Sequence, residues 1–166
     1  MSILAFVNKD TKEGELVSVS DIVNKHWKTY GRNFYSRYDY EQVDSDKANQ
    51  LMAHLVQSQT DLVGKSLGPF VVAAADEFEY TDQFDSSVSS HQGIRFLFDD
   101  GSRIIFRLSG TGSTGATIRL YLEQYEADES KFNQETQDAL RDLVKVALEI
   151  SKMQEFTGRD APTVIT

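Results

Sequence analysis

The sequence contains no cysteine. That excludes a disulfide framework and thiolate chemistry of any kind, and nothing points to an oxidising compartment. Basic side chains are in short supply. Seventeen Lys and Arg stand against 26 Asp and Glu, a formal net charge of −9. Duplex DNA or an acidic membrane surface would be repelled at long range, so no nucleic acid and no membrane are expected as partners. No apolar run approaches the ~20 residues that a membrane-spanning helix needs. The apolar segment 1–7 lacks the basic leader and small-residue cleavage site of a signal peptide. A soluble, cytoplasmic protein is expected. Only two prolines occur, and the chain holds three histidines without metal-ligand spacing. What is present suffices for a core: 40% of the 166 residues are hydrophobic, among them ten Phe and seven Tyr. This excludes global disorder and fits one compact domain with at most a short extra segment.

The first third reads as helical. Residues 1–7 resemble the end of a helix that begins elsewhere, followed by a polar turn from Asn8 to Gly14. Ser18 and Asp21 form a capping-box-like start. Ile22, Val23, His26, Trp27 and Tyr30 then make one helical stripe that stops at Gly31. His26 on that stripe is expected to be packed rather than to bind a ligand. Residues 34–40 alternate poorly and are expected to be extended chain or a hinge, with Asp39 and Glu41 solvated. Ser45 opens a second helix, with Ala48, Leu51, Met52, Leu55 and Val56 on one face.

From Phe70 the period changes to that of strands. Ile94, Phe96 and Phe98 alternate with Arg95 and Leu97, and Ile104, Phe106 and Leu108 with Arg103, Ile105 and Arg107. Between the two runs, a three-residue loop with Gly101 left-handed is expected. The expected partners are Phe98 with Ile104 and Phe96 with Phe106, which puts the apolar residues on one face. Residues 117–125 form a further strand, and a long helix is expected from Asn133 to about Glu155. Helices, then mainly antiparallel strands, then a closing helix predict an α+β fold with helices on one face of a sheet.

The chemistry concentrates between Arg107 and Arg119. Three glycines and five hydroxyl residues lie there between two strands, and no acidic residue occurs between Arg103 and Leu122. Glycines allow consecutive backbone N–H groups to face one anion, hydroxyls donate to phosphate oxygens, and arginine adds a bidentate clamp. The other possibility at this point is a flexible glycine-rich connection. Gly110, Gly112 and Gly115 match the dinucleotide fingerprint formally, but a strand follows where that motif needs a helix. Ala116 stands where a nucleotide-binding P-loop needs lysine.

The run from Arg107 to Tyr121 resembles the distal phosphate-binding loop of the phosphoglucomutase (alpha-D-phosphohexomutase) family. So do the segments from His26 to Glu41, from Gln92 to Arg103 and from Thr157 to Thr166. The resemblance implies a TATA-binding-protein-like C-terminal domain over residues 34–166, with residues 1–33 a remnant of the preceding domain and a linker helix. It implies that Arg107, Ser109, Gly110, Thr111, Gly112 and Arg119 hold the phosphate of a phosphosugar substrate. For a full-length parent it implies interconversion of glucose 1-phosphate and glucose 6-phosphate, with Mg2+ and glucose 1,6-bisphosphate as cofactors and the remaining domains as partners. The family's serine loop (Ser-His-Asn-Pro type), its Asp-Gly-Asp-x-Asp-Arg metal loop and its Gly-Glu-Glu-Ser sugar loop are absent here. Hence this chain alone is expected to be inactive, with no cofactor, metal or catalytic residue of its own. The alternative expectation is a free-standing, non-catalytic module that binds an anion, a sugar phosphate or a protein partner.

Overall fold

A computed structural model describes residues 2–12, 14–90, 93–112 and 115–166, with the backbone alone at 111 and 112. It divides into a smaller unit, residues 1–33 with 126–134, and a larger one, residues 34–125 with 135–166.

The smaller unit holds α1 (Ile3–Val7) and α2 (Val19–Tyr30). Ser2 caps α1 by accepting from the Ala5 N–H. At α2 the expected capping box is present: Ser18 Oγ accepts from the Asp21 N–H at 3.1 Å, and the Asp21 carboxylate accepts from the Ser18 N–H at 2.8 Å. That double contact satisfies two of the donors a helix start leaves open, and it holds the Asp21 carboxyl below its usual range. Neither helix buries a residue. His26 is a correction to expectation: it is exposed, with its ring 4.8 Å from that of Tyr30. Trp27 meets Phe132 edge-on at 6.4 Å, and the Arg32 guanidinium lies 4.4 Å from the Trp27 ring centre.

The larger unit contains β1 (Arg32–Val43, its first two residues counted with the smaller unit), α3 (Ser45–Leu62), β2 (Ser66–Leu67) and β3 (Phe70–Glu77). A two-stranded ribbon follows, β4 (Tyr80–Thr81) with β5 (Val88–Ser89). Next come β6 (Ile94–Phe98), β7 (Arg103–Gly112) and β8 (Gly115–Glu126). Three short helices, α4 (Thr136–Ala139), α5 (Arg141–Ser151) and α6 (Met153–Thr157), lead to β9 (Val164–Ile165). The main sheet has seven strands in the order β2-β3-β6-β7-β8-β1-β9.

Period-two alternation decides which face is covered. Ile94, Phe96, Phe98, Ile104, Phe106, Ile118, Leu120 and Leu122 are buried, while Arg103, Arg107, Arg119 and Tyr121 take the opposite face. Ala48, Leu51 and Leu55 of α3, with Leu143, Val146, Ala147 and Ile150 of α5, complete the core. Each fully buried side chain of this kind contributes about 1.5–3 kcal/mol. This is the α+β architecture expected, with helices on one face.

Three expectations need correction. Gly101 is left-handed (φ +86°) in a three-residue loop, but the partners are Phe96 with Ile104 and Ile94 with Phe106. Three loop residues leave Phe98 to close on Ser102, whose carbonyl accepts its N–H at 2.9 Å. The register therefore differs by two from that expected; a shift of two preserves the faces. The closing helix is broken twice, at Leu140 and at Lys152, which is left-handed (φ +48°). Finally, residues 34–40 are extended chain, one of the two expected possibilities, as the middle of β1, and the correction there concerns Asp39. Tyr38, Asp39 and Tyr40 are all buried, because β9 pairs with β1 at Tyr38 and Asp39. Asp39 is thus not solvated; its Oδ1 lies 3.0 Å from Arg37 Nε. Burial, with Tyr38 adding to it, pushes the Tyr40 hydroxyl up to about 12.

Candidate functional site

The hairpin of β7 and β8 carries all six residues expected to hold phosphate. Its outward-facing rungs change character along its length. At the base Arg103 stands opposite Glu123 and pairs with its carboxylate. Ile105 faces Tyr121 on the next such rung. Then come Arg107 opposite Arg119, and Ser109 opposite Thr117. Directly opposed side chains have Cβ atoms about 4.5–5.5 Å apart, and like charges at that spacing repel. The ladder thus runs from an internal ion pair to a doubly cationic rung and on to hydroxyls and glycines.

Between Ser109 and Gly112 the register shifts by one, since Gly112 pairs with Gly115. One extra residue is therefore accommodated on β7 at Gly110–Thr111, a bulge. Gly110 supplies it with a left-handed backbone (φ +66°) that a side-chain-bearing residue adopts at a cost. Ser113 and Thr114 lie outside the described residues, as does the Thr111 side chain. Arg107 is exposed; Ser109 and Arg119 are half-buried. Arg119 Nε is buried and has no hydrogen-bond acceptor. A charged donor without an acceptor among the described residues is costly to bury.

Two close contacts near the hairpin were not legible in the sequence, one at Gly93 and one at Gly115. Gly93 gives room to the Arg107 stem: a Cβ there would lie 3.0 Å from Arg107 Cγ. Gly93, Arg95, Ile105, Arg107 and Phe78 line a cavity of about 250 Å³. The sequence signal for it was the placement of Gly93 at the start of an alternating strand. Gly115 is the second feature, since a Cβ there would meet the Val43 carbonyl oxygen at 3.1 Å and Gln42 Cα at 3.2 Å. A larger cavity, about 350 Å³, lies at the base of the hairpin against Tyr35, Arg37, Arg103 and Tyr121.

Among the described residues, no group of three or more His, Asp or Glu side chains could hold a metal ion, and no helix is long and apolar enough to cross a membrane. A strand, β8, follows the glycines directly, so the dinucleotide-type spacing lacks the helix it requires.

Residues 32–163 match the family model described as "Phosphoglucomutase-1, C-terminal domain". The cytoplasmic phosphoglucomutase of Pisum sativum is 60% identical over 173 residues, covering 100% of this chain and 30% of the relative. That of Solanum tuberosum is 62% identical over 174 residues with the same coverage. Among solved structures, the exocytosis-sensitive phosphoprotein pp63/parafusin, a phosphoglucomutase from Paramecium in its open form, superposes with a TM-score of 0.87 at 52% identity. That match covers 99% of this chain and 27% of the other. The chain thus spans about 30% of the length of the curated relatives it matches.

Proposed function

The chain belongs to the phosphoglucomutase family, in its C-terminal domain, and we propose that it grips the substrate phosphate in an enzyme interconverting glucose 1-phosphate and glucose 6-phosphate. The observation that carries this is the hairpin's cationic rung: Arg107 directly opposite Arg119, with Arg119 Nε buried and lacking an acceptor. Guanidinium groups bind phosphate oxygens in a planar, charge-assisted fork. Ser109 and the backbone of Gly110, Thr111 and Gly112 lie toward the tip from that rung, where they add neutral donors.

In this proposal residues 34–166 are the phosphate-binding domain, and residues 1–33 are the end of the preceding domain with its linker helix. Two observations support the division: the family match begins at residue 32, and α1 and α2 bury no residue. Magnesium, implied by the family, finds no ligand set among the described residues. In this reading the chain's share of the reaction is to bind and orient the phosphosugar, and glucose 1,6-bisphosphate would be met by the same cradle together with the other domains. A cytoplasmic location, carried in the names of the plant relatives, belongs to the same proposal. The alternative of a free-standing module gains no support from relatives that contain this whole chain as 30% of their length.

Activity assays test this. The 166-residue chain alone is expected to turn over no glucose 1-phosphate with magnesium and bisphosphate present, because a placed nucleophile and most charge stabilisation are missing. The family resemblance implies a phosphoserine on the parent's serine loop, and in a full-length enzyme Arg119→Ala is expected to weaken substrate binding while that phosphoserine still forms. Turnover by the isolated chain, or an unchanged KM in the variant, would contradict the division of roles.

A further inference from the structure

The hairpin tip rests on a corner of β1 that has an unusual conformation. Gln42 is left-handed (φ +55°), one of few residues other than glycine with positive φ among those described. Such a conformation is unfavourable for a side-chain-bearing residue and persists only when its surroundings hold it. Against this corner sits Gly115, the first residue of β8. The space for its missing Cβ is filled by Gln42 Cα, at 3.2 Å, and by the Val43 carbonyl oxygen, at 3.1 Å. Gly115 is also the register partner of Gly112 in the candidate cradle. The position of the corner therefore sets the position of the strand that closes the glycine tip.

Arg159 holds that corner. Its Nη2 donates to the Glu41 carbonyl at 3.0 Å and to the Gln42 carbonyl at 3.4 Å. Consecutive carbonyls of an extended strand point to opposite sides, so one nitrogen reaches both only where the backbone turns between them. The left-handed residue and the double contact are two sides of one arrangement. The arginine is itself anchored to the helix layer. Its N–H donates to Thr157 Oγ1 at 3.1 Å, and the Thr157 hydroxyl donates to the Met153 carbonyl at 2.6 Å. Met153 is fully buried in the core. Further along, Thr163 Oγ1 accepts from the Glu41 N–H at 3.1 Å, and the Thr163 N–H donates to the Asp39 carbonyl at 2.8 Å. A chain of contacts thus runs from the core end of α6 through Arg159 to the Glu41–Gln42 corner and on to Gly115.

We propose that Arg159 is a positioning residue for the anion-binding hairpin: it clamps the left-handed Gln42 corner on which Gly115 rests, and so holds the glycine tip in register for a phosphate. The proposal rests on the phosphate-binding role of the hairpin. It assigns Arg159 no contact with the ligand. Its guanidinium acts through two backbone carbonyls and a close glycine contact.

The test uses the 15N-labelled 166-residue chain and inorganic phosphate as the probe. Before any phosphate is added, Arg159→Ala is expected to move the amide signals of Gln42, Val43, Gly112 and Gly115 while leaving Ile104 and Phe106 in place. Phosphate affinity is expected to fall about tenfold, as the displaced tip loses one of its own contacts to the anion. Gln42→Gly in the Arg159→Ala background is expected to restore the Gly112 and Gly115 signals and the affinity, because glycine adopts the left-handed corner without a clamp. A generally weakened fold would not be repaired by adding a glycine. Unmoved Gly112 and Gly115 signals in Arg159→Ala, or a defect that Gln42→Gly leaves unrepaired, would overturn the proposal. If wild-type hairpin signals ignore phosphate while Arg159→Ala still moves Gly115, the clamp stands and the phosphate-binding role of the hairpin falls.

Discussion

Arg107 and Arg119 face each other directly across the β7–β8 ladder, on the sheet face that the helices leave uncovered. Opposed like charges do not stabilise a hairpin, and Arg119 Nε has no acceptor. On its own the opposed pair adds little to the stability of the hairpin.

Stability is the first place where this shows. Arg119→Ala is expected to leave the unfolding free energy of the chain within about 1 kcal/mol of wild type, since cross-strand pairs contribute at most about that. The adjacent Leu120 is fully buried, and Leu120→Ala is expected to cost about 2–5 kcal/mol. Urea unfolding of both variants checks this. A large loss in Arg119→Ala would mean that the arginine is structural.

Elsewhere on the sheet an opposed pair has opposite signs. Asp76 faces Arg95, and the two make a bidentate contact at 2.6 Å. Hydrogen bonding from Arg95 holds the Asp76 carboxyl below its usual range. A lowered folded value means that the stabilisation is fully present above the ordinary carboxylate value of about 4. It is lost as pH falls through the folded value. With the Asp76 side chain 44% exposed, the pair is worth about 0–1 kcal/mol. Asp76→Asn is expected to be slightly less stable than wild type at neutral pH and indistinguishable from it once wild-type Asp76 is protonated. Urea midpoints at pH 7 and down through the acid range measure this. A gap that stays constant with pH would contradict it.

The helices of the smaller unit bury no residue, and Ile3, Phe6, Val19 and Tyr30 are each more than half exposed. Their amides are expected to exchange hydrogen much faster than those of Ile104, Phe106 and Leu120, as segments with few buried contacts open locally. Equal protection would argue against residues 1–33 being the end of a domain whose partners lie elsewhere.

How far these features were legible varies with the range of the interactions behind them. Local signals sufficed for the Ser18–Asp21 cap, for the alternation of β6, β7 and β8, and for the glycine loop, because caps and period-two burial are set by neighbouring residues. The register of the β6–β7 hairpin depended on counting loop residues, and pairing Phe98 with Ser102 rather than Ile104 kept every side chain on its expected face. Buried Asp39 was illegible because its cover comes from β9, more than a hundred residues later in the chain. The left-handed break at Lys152 has no glycine or proline to announce it. For the candidate site, the residue types were plain in the sequence. The opposition of Arg107 to Arg119 was not, since it depends on a bulge that shifts the register near the tip.

The most direct measurement is a titration of the 15N-labelled 166-residue chain with glucose 6-phosphate. A single wall of a larger site is expected to bind weakly, on the order of millimolar, or about −4 kcal/mol. The predicted result is that the shifting signals cluster on Arg107, Ser109, Gly110, Thr111, Gly112 and Arg119. Arg119→Ala, which removes a charge-assisted contact worth roughly 1.5–3 kcal/mol, is predicted to abolish measurable binding in a folded protein. Shifts that map away from the β7–β8 hairpin, or that survive Arg119→Ala unchanged, would contradict the account.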